Sequence, residues 1–197
     1  MKIRNWLFLF FSTLLIGGVI GAVLGVAFNW SLFTSGGAVN FIIGVLEVFG
    51  FGCMFSVISQ MGFFAYLTVH RFGIGMFRSP SLWNGILAVL TAFVLFDLFY
   101  FRFIAFREPG ESPLRFMLLP LFLFLYSWWV SVRKRKETNR TAFLPTLFFM
   151  VVVTVLEWYY PLKTNSDWMW IVGAVLLACN TWQVLVLHRL LGQPKQS

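Results

Sequence analysis

Six long apolar runs dominate this chain and limit what it can fold into. A helix needs roughly 20 mostly apolar residues to cross the ~30 Å hydrocarbon core of a bilayer. Of the 197 residues, 59% are hydrophobic and only 11% are charged, which is not the composition of a soluble domain. None of the runs alternates polar and apolar residues as the strands of a membrane barrel do. The predicted spans are residues 6–28, 38–69, 83–104, 115–132, 142–160 and 168–187.

The runs predict an all-α integral membrane protein, a compact bundle of six transmembrane helices with short loops. No Pro/Gly/Ser-rich linker divides the chain, so we expect one domain over residues 1–197. The start "MKIRN" resembles a secretory signal. However, the apolar run after it is longer than a signal core and no small-residue cleavage site follows, so we expect it to be the first span.

Basic residues predict the orientation. Counted by alternate loops, eleven of the 15 lysines and arginines fall on the side of the two termini, and four fall on the other. Because Lys and Arg accumulate on the cytoplasmic side, both termini are expected to be cytoplasmic in a bacterial cell membrane. The densest group is Arg133, Lys134, Arg135 and Lys136. Orientation and contact with anionic lipid headgroups explain this basic face, and an acidic protein surface is the alternative partner.

The second run is too long for a single straight crossing. A helix over residues 38–69 would be ~48 Å long at about 1.5 Å per residue. Tilt, protrusion or a break must absorb the excess, and Gly50 to Gly52 is the expected place for a kink because paired small residues weaken the helix there. The sequence leaves open whether this span is broken.

The same run carries polar residues that share a helix face. Ser56, Ser59 and Gln60 have i, i+3, i+4 spacing, and Glu47 points nearly opposite to them if the helix is straight. A helix that is polar on two sides is expected to be surrounded by protein. We expect these side chains to hydrogen-bond neighbouring helices, and a ligand-lined cavity is the alternative.

A stripe of small residues follows one face of the first span. Thr13, Gly17, Gly21 and Gly25 recur every four residues and would allow another helix to approach closely. Packing within the bundle is the favoured interpretation. A contact with a partner protein or a homo-oligomer is the alternative.

Ionisable residues within the spans suggest a second candidate site. Glu47, Asp97 and Glu157 all fall in the outer halves of predicted spans, near Arg102 and Arg107. Carboxylates at these depths are costly and are often functional. Glu47, Asp97 and Arg102 could form an outward-facing polar pocket, with a structural ion pair as the alternative.

Other reactive residues have simpler explanations. His70-Arg71 and His188-Arg189 are expected to cap the cytoplasmic ends of two helices, and no further ligands complete a metal site. Cys53 and Cys179 lie in apolar runs and are expected to be unpaired thiols. The sequence has no phosphate loop, HExxH, GxSxG or CxxC motif, so we expect no enzyme, cofactor or nucleic acid partner.

The stretch "FSVISQMGFFAYLTVHRFG", residues 55–73, resembles the KinB-signalling pathway activation protein family (KbaA) of Bacillus-type spore formers. The chain length, the six runs and the "MKIRN" start agree with that family more loosely. The resemblance implies a non-enzymatic, multi-pass membrane accessory protein that promotes signalling by the membrane sensor histidine kinase KinB, which feeds the phosphorelay that initiates sporulation. The resemblance does not assign a role to any individual residue.

Two other functions remain open from the residues alone. A small transporter or a ligand-sensing membrane protein could use the Glu47, Asp97 and Arg102 pocket. A membrane-embedded enzyme would have to build its chemistry from the same few polar groups. The oligomeric state and any ligand cannot be read from the sequence.

Overall fold

The structure is a computed structural model, which describes residues 3–35, 37–77, 79–164 and 166–192. Every regular element in these ranges is helical. The elements are α1 (Ile3–Phe28), α2 (Trp30–Thr34), α3 (Gly37–Met76), α4 (Pro80–Phe106), α5 (Leu114–Glu137), a 3₁₀ turn (Arg140–Ala142), α6 (Phe143–Phe148), a π-helical turn (Phe149–Val153), α7 (Thr154–Leu162) and α8 (Asp167–Leu191).

Six helical segments in the described residues are long and apolar enough to cross a membrane. They correspond to the six predicted spans, which confirms the all-helical fold class. The fifth segment, Arg140–Leu162, joins the 3₁₀ turn, α6, the π-helical turn and α7 into one rod. Five of the six predicted spans begin and end within five residues of the helical segments observed.

The exception is α3, which is longer than predicted and continuous. It runs for 40 residues from Gly37 to Met76, or about 60 Å, and passes through Gly50 to Gly52 without a break. His70 and Arg71 therefore do not end this helix, so the prediction that they cap it is wrong. The helix continues through Gly73, where the Trp83 side chain packs against its backbone, and ends at Met76.

The chain divides into two compact units, and the prediction of one domain stays a prediction. The first unit comprises Met1–Gly62 and Tyr160–Ser197, and the second comprises Phe63–Tyr159. The first unit thus contains α1, α2, the first part of α3 and α8. The second contains the last part of α3 together with α4, α5, α6 and most of α7.

In the first unit α1 is antiparallel to both of its neighbours. The Asn5 amide donates to the Leu190 carbonyl oxygen over 2.7 Å, so the start of α1 lies beside the end of α8. Gly17 lies against Ser56, and Gly25 lies against Val48, so α3 also runs opposite to α1. It follows that α3 and α8 run parallel, which places their polar residues at the same level.

The second unit is assembled through aromatic side chains. Phe63 of α3 packs edge-on against Phe149, with ring centroids 5.3 Å apart, and Phe103 of α4 packs against Phe116 of α5 at 5.8 Å. All five residues of the π-helical turn are buried. Such turns insert one residue per turn and are uncommon in helices.

Local sequence signals set the ends of these helices. Pro80 occupies the first turn of α4, where a missing N–H costs nothing. Gly110 takes a positive φ of 96° in the loop after α4, a backbone conformation that favours glycine. The Asn139 side chain accepts from the Ala142 N–H over 3.0 Å and caps the 3₁₀ turn.

Candidate functional site: a buried polar cluster and exposed helix faces

The small-residue stripe of α1 packs against α3 of the same chain. A Cβ atom built on Gly21 would lie 2.8 Å from the Gly52 Cα and 2.9 Å from the Val48 carbonyl oxygen. One built on Gly17 would lie 2.6 Å from the Ser56 Cβ, and one on Gly25 would lie 2.8 Å from the Val48 Cβ. The two helices are therefore so close that only glycine fits, as the intramolecular interpretation expected.

A buried polar cluster joins α3 to α8. The Ser59 hydroxyl donates to Asn180 Oδ1 over 2.7 Å and accepts a hydrogen from Gln183 Nε2, also over 2.7 Å. Gln183 Nε2 donates in addition to the Cys179 carbonyl oxygen at 3.2 Å. Gln60 Nε2 reaches the Ser56 hydroxyl within α3 at 3.4 Å. We call these residues the polar cluster: Ser56, Ser59, Gln60, Asn180 and Gln183.

All five residues of the polar cluster are buried, and none exposes more than 3% of its surface. Ser59 makes the interhelical hydrogen bonds expected of it, whereas the bond of Gln60 stays within its own helix. Such bonds contribute roughly 0.5–2 kcal/mol each within a membrane. The cluster therefore fixes the register of α3 against α8.

Further contacts tie α1 to this arrangement. The Trp182 indole N–H donates to the Ser12 hydroxyl over 2.9 Å. Neither Cys53 nor Cys179 forms a disulfide, and each thiol approaches a carbonyl oxygen of α1: Cys179 reaches Thr13 and Cys53 reaches Leu14, both at 3.7 Å. The small residues of α1 thus lie between two sulfur atoms.

The residues of the predicted outer pocket are divided between the units. Glu47 is exposed on α3 in the first unit, and Asp97 and Arg102 are half-buried on α4 in the second. The Arg102 guanidinium lies 5.1 Å from the centre of the Phe106 ring. The pocket itself stays a prediction.

The exposure of Glu47 overturns one expectation. Because Glu47 points away from the polar cluster, we expected protein on both sides of α3. However, only 17% of the most apolar stretch of α3 is buried. A helix of about 60 Å extends beyond a ~30 Å hydrocarbon core, so an exposed carboxylate on it does not require a protein partner.

The predicted basic face lies at the carboxyl end of α5. Arg133 Nε lies 3.2 Å from Glu137 Oε1, and its guanidinium lies over the Trp129 ring at 6.0 Å. Arg135 and Lys136 are exposed, and Lys134 is half-buried. Cations at the end of a helix also interact favourably with its carbonyl dipoles. This end of α5 can bind anionic groups through Arg135 and Lys136.

His70 takes part in an aromatic cluster of the second unit. Its Nδ1 accepts from the Trp83 indole N–H over 3.0 Å, and its ring stacks on Tyr66 at 5.6 Å. The Tyr66 hydroxyl donates to the Pro145 carbonyl oxygen over 2.8 Å. Trp83 approaches the α3 backbone at Gly73, where a Cβ atom would overlap the indole. By contrast, His188 and Arg189 do occupy the last turn of α8, as predicted.

The described parts of the chain contain no group of three or more His, Cys, Asp or Glu side chains that could hold a metal ion. The polar cluster consists of hydroxyl and amide groups, which donate and accept hydrogen bonds. Its chemistry is that of hydrogen bonding.

Several residues at the centre of these sites were missed from the sequence. Asn180 and Gln183 bond Ser59, and Tyr66 and Trp83 contact His70, but none of the four was singled out for this role. A signal was present for the first two, since their i, i+3 spacing within an apolar run is the pattern that identified Ser56 and Ser59.

Comparison with known proteins identifies the family. The family model described as KbaA, KinB-signalling pathway activation in sporulation, matches residues 15–190. The chain is 41% identical over 194 residues to the KinB-signaling pathway activation protein of Bacillus subtilis (strain 168), covering 96% of this chain and 98% of that protein. No solved structure matches. With a family model spanning most of its length and a relative aligned from end to end, this chain belongs to the KbaA family of KinB-signalling pathway activation in sporulation.

Proposed function

We propose that this protein is a multi-pass protein of the bacterial cytoplasmic membrane that promotes signalling by a sensor histidine kinase of the KinB type. The kinase in turn feeds the phosphorelay that initiates sporulation. The observation that carries the proposal is the 41% identity to a KinB-signaling pathway activation protein, because the match covers nearly all of both chains. The six long apolar helices support a location in the membrane.

The protein acts in this proposal as a binding partner without catalytic activity. An activator of this kind must bind one state of the kinase more tightly than another, since only a difference in affinity shifts an equilibrium. The buried polar side chains of the first unit support this view because they bond the helices of the chain to one another. They build a fixed scaffold whose outer faces can discriminate between two kinase states.

The contact surface that we propose is the exposed apolar face of α4 or, taken separately, that of α3. The stripe of Gly17, Gly21 and Gly25 is covered by α3, and Ser59 bonds α8, so neither surface is free in this arrangement. By contrast, only 17% of the most apolar stretch of α3, and the same share of α4, is buried. A transmembrane helix of the kinase can pack against such a face through van der Waals contacts.

The basic face of α5 supports the proposed orientation. Arg135 and Lys136 are exposed at one end of this helix, next to the exposed Trp128 and Trp129. Trp and basic residues together are typical of a helix end at the cytoplasmic headgroup layer. We propose that anionic lipid headgroups bind there, each cation contributing about 1 kcal/mol.

A genetic test addresses the pathway directly. In a Bacillus subtilis strain that lacks its own KinB-signaling pathway activation protein, expression of this chain should restore a sporulation reporter that depends on KinB. The same expression in a strain that also lacks the kinase should have no effect. Restoration without the kinase would contradict the proposal, as would failure of a stably expressed chain to restore the reporter.

A reconstitution experiment separates this function from transport. Liposomes that contain only the purified protein should show no flux that depends on Glu47, Asp97 or Arg102. Flux abolished by Asp97→Asn in protein of equal abundance would favour the transporter instead.

A further inference from the structure

The polar cluster contains hydrogen-bond acceptors that the protein itself leaves unused. The side-chain oxygens of Gln60 and Gln183 are buried and have no hydrogen-bond partner among the described residues. Gln60 exposes 3% of its surface and Gln183 none. Buried polar atoms are nearly always paired, because leaving one unpaired costs substantial free energy. Two such oxygens in one cluster therefore call for a hydrogen-bonding partner that the side chains do not supply.

The hydrogen bonds of Gln183 fix which way its amide points. Its Nε2 uses both hydrogens, one on the Ser59 hydroxyl at 2.7 Å and one on the Cys179 carbonyl oxygen at 3.2 Å. Exchanging the oxygen and nitrogen would set two acceptors against each other at Cys179. The unused atom of Gln183 is therefore an acceptor, and the ligand must be a donor.

Gln60 belongs to the same cluster but is held less firmly. Its Nε2 reaches the Ser56 hydroxyl at 3.4 Å, near the limit for a hydrogen bond. The residue adjacent to it, Ser59, is the one that Gln183 bonds. Because a hydroxyl both donates and accepts, Ser56 can pair with either end of the Gln60 amide, and one buried polar atom of Gln60 stays without a partner in both orientations. Gln183 and Gln60 thus present two incompletely bonded amides on two parallel helices within the first unit.

The charge of the cluster decides the kind of donor. Its five members are hydroxyl and amide side chains, all of them uncharged at neutral pH. A cation bound among them would be buried without an opposite charge, which is strongly unfavourable in an apolar interior. Water offers two O–H donors, carries no charge, and commonly occupies buried sites that hold unsatisfied polar groups.

We propose that the polar cluster is a water-binding site, in which buried water donates a hydrogen bond to the side-chain oxygen of Gln183 and pairs with the unpaired atom of the Gln60 amide. The water closes the hydrogen-bond network between α3 and α8. This inference rests on the polar cluster alone and goes beyond the proposed role in kinase signalling, so either one can fail without the other.

The discriminating variant is Gln60→Met, which keeps the length and volume of the side chain and removes the amide. If water pairs with the Gln60 amide, the variant loses a satisfied network and should melt about 2–4 °C lower. If one polar atom of that amide is unpaired, the variant removes a buried unpaired group at the cost of only the long bond to Ser56, and the melting temperature should rise. Thr68→Val, an exposed polar-to-apolar change on the same helix, is the control and should leave it unchanged.

A spectroscopic readout tests the hydrogen bond itself. The purified full-length protein is labelled at the glutamine side-chain carbonyls, and difference infrared spectra against Gln60→Met and Gln183→Met assign the two bands. Hydrogen-bonded carbonyls absorb at lower frequency than free ones, so both bands are expected at the hydrogen-bonded position. Either band at the free position, or a higher or unchanged melting temperature for Gln60→Met, overturns the proposal. A higher melting temperature in sodium or potassium salts than in choline salts would also overturn the proposal, because it would show that the site binds a cation.

Discussion

The two units of this protein hold their helices together by different means. In the first unit, glycines let α1 and α3 approach until backbone meets backbone, and hydroxyl and amide groups then bond α3 to α8. In the second unit, aromatic rings fill the space between helices, and Trp83 and Tyr66 add hydrogen bonds through a ring N–H and a hydroxyl.

In the membrane location that we propose, the solvent around the helices is as apolar as their own side chains, and the comparison bears on how they associate there. Close packing and interhelical hydrogen bonds replace the hydrophobic effect in a membrane. The first unit uses small residues and is therefore intolerant of added volume. The second unit uses large rings, which can adjust more readily because their contacts are spread over many atoms.

Gly52→Leu should break the first unit most severely. A Cβ atom at this position would overlap the Gly17 carbonyl oxygen, which is backbone and cannot move aside. We expect a loss of at least about 3 kcal/mol in the free energy of unfolding. Thermal unfolding in detergent or nanodiscs measures it, with Gly50→Leu as the matched control, because nothing lies within 4 Å of a Cβ atom on Gly50. Equal melting temperatures for the two variants would refute the close approach of α1 and α3.

Gly73→Ala should affect the second unit less. The added Cβ would meet the Trp83 indole, which is a side chain and can shift. We expect a loss of about 1–3 kcal/mol in the free energy of unfolding. This loss should largely vanish when it is measured in a Trp83→Leu background. A double-mutant cycle in the same unfolding assay detects that relief. Additive effects of the two changes would show that Gly73 and Trp83 do not touch.

Gln183→Leu should weaken the first unit through its hydrogen bonds. The change removes the donor to Ser59 and to the Cys179 carbonyl oxygen. A loss of about 1–2 kcal/mol is expected, together with a coupling of about 0.6 kcal/mol or more to Ser59→Ala. A double-mutant cycle of Gln183→Leu and Ser59→Ala measures this coupling. A coupling of zero would show that Ser59 and Gln183 do not bond each other.

Glu137→Gln should have the smallest effect. Its partner Arg133 lies at 3.2 Å, but more than half of the arginine side chain and about a fifth of the glutamate are exposed, so water screens the pair. We expect a change below about 0.5 kcal/mol in the free energy of unfolding. A loss as large as the one expected for Gln183→Leu would mean that the pair is shielded from water, contrary to its exposure.

The sequence predicted the helices well because apolar length is a local property. All six spans could be located from runs of about 20 apolar residues, and the shared face of Ser56, Ser59 and Gln60 followed from helical periodicity alone. The length of α3 was underestimated because the apolar run stops at the basic pair His70-Arg71, which looks like a helix end. The approach of Trp83 to Gly73 shows that this stretch packs within the second unit instead.

The partners of the polar and small residues could not be predicted, because they depend on which helices become neighbours. The stripe on α1 indicated a close approach without identifying α3. Gly52, which looked like a hinge, proves to be the point of closest contact. Periodicity likewise gave one side of the polar cluster, whereas Asn180 and Gln183 became its other side only when α8 was placed beside α3.

The most direct test of the proposed function is photocrosslinking in the membrane from two neighbouring positions of α4. Val89 is 68% exposed and Leu87 is 1% exposed, so a crosslinking amino acid at each position samples the outer and inner faces of one helix. We predict that the KinB-type kinase is captured from position 89 and not from position 87. The same experiment is repeated at the exposed Phe93 of α4 and Met61 of α3. If the kinase is captured from none of these positions, in protein that still restores the sporulation reporter, direct contact through these faces is contradicted.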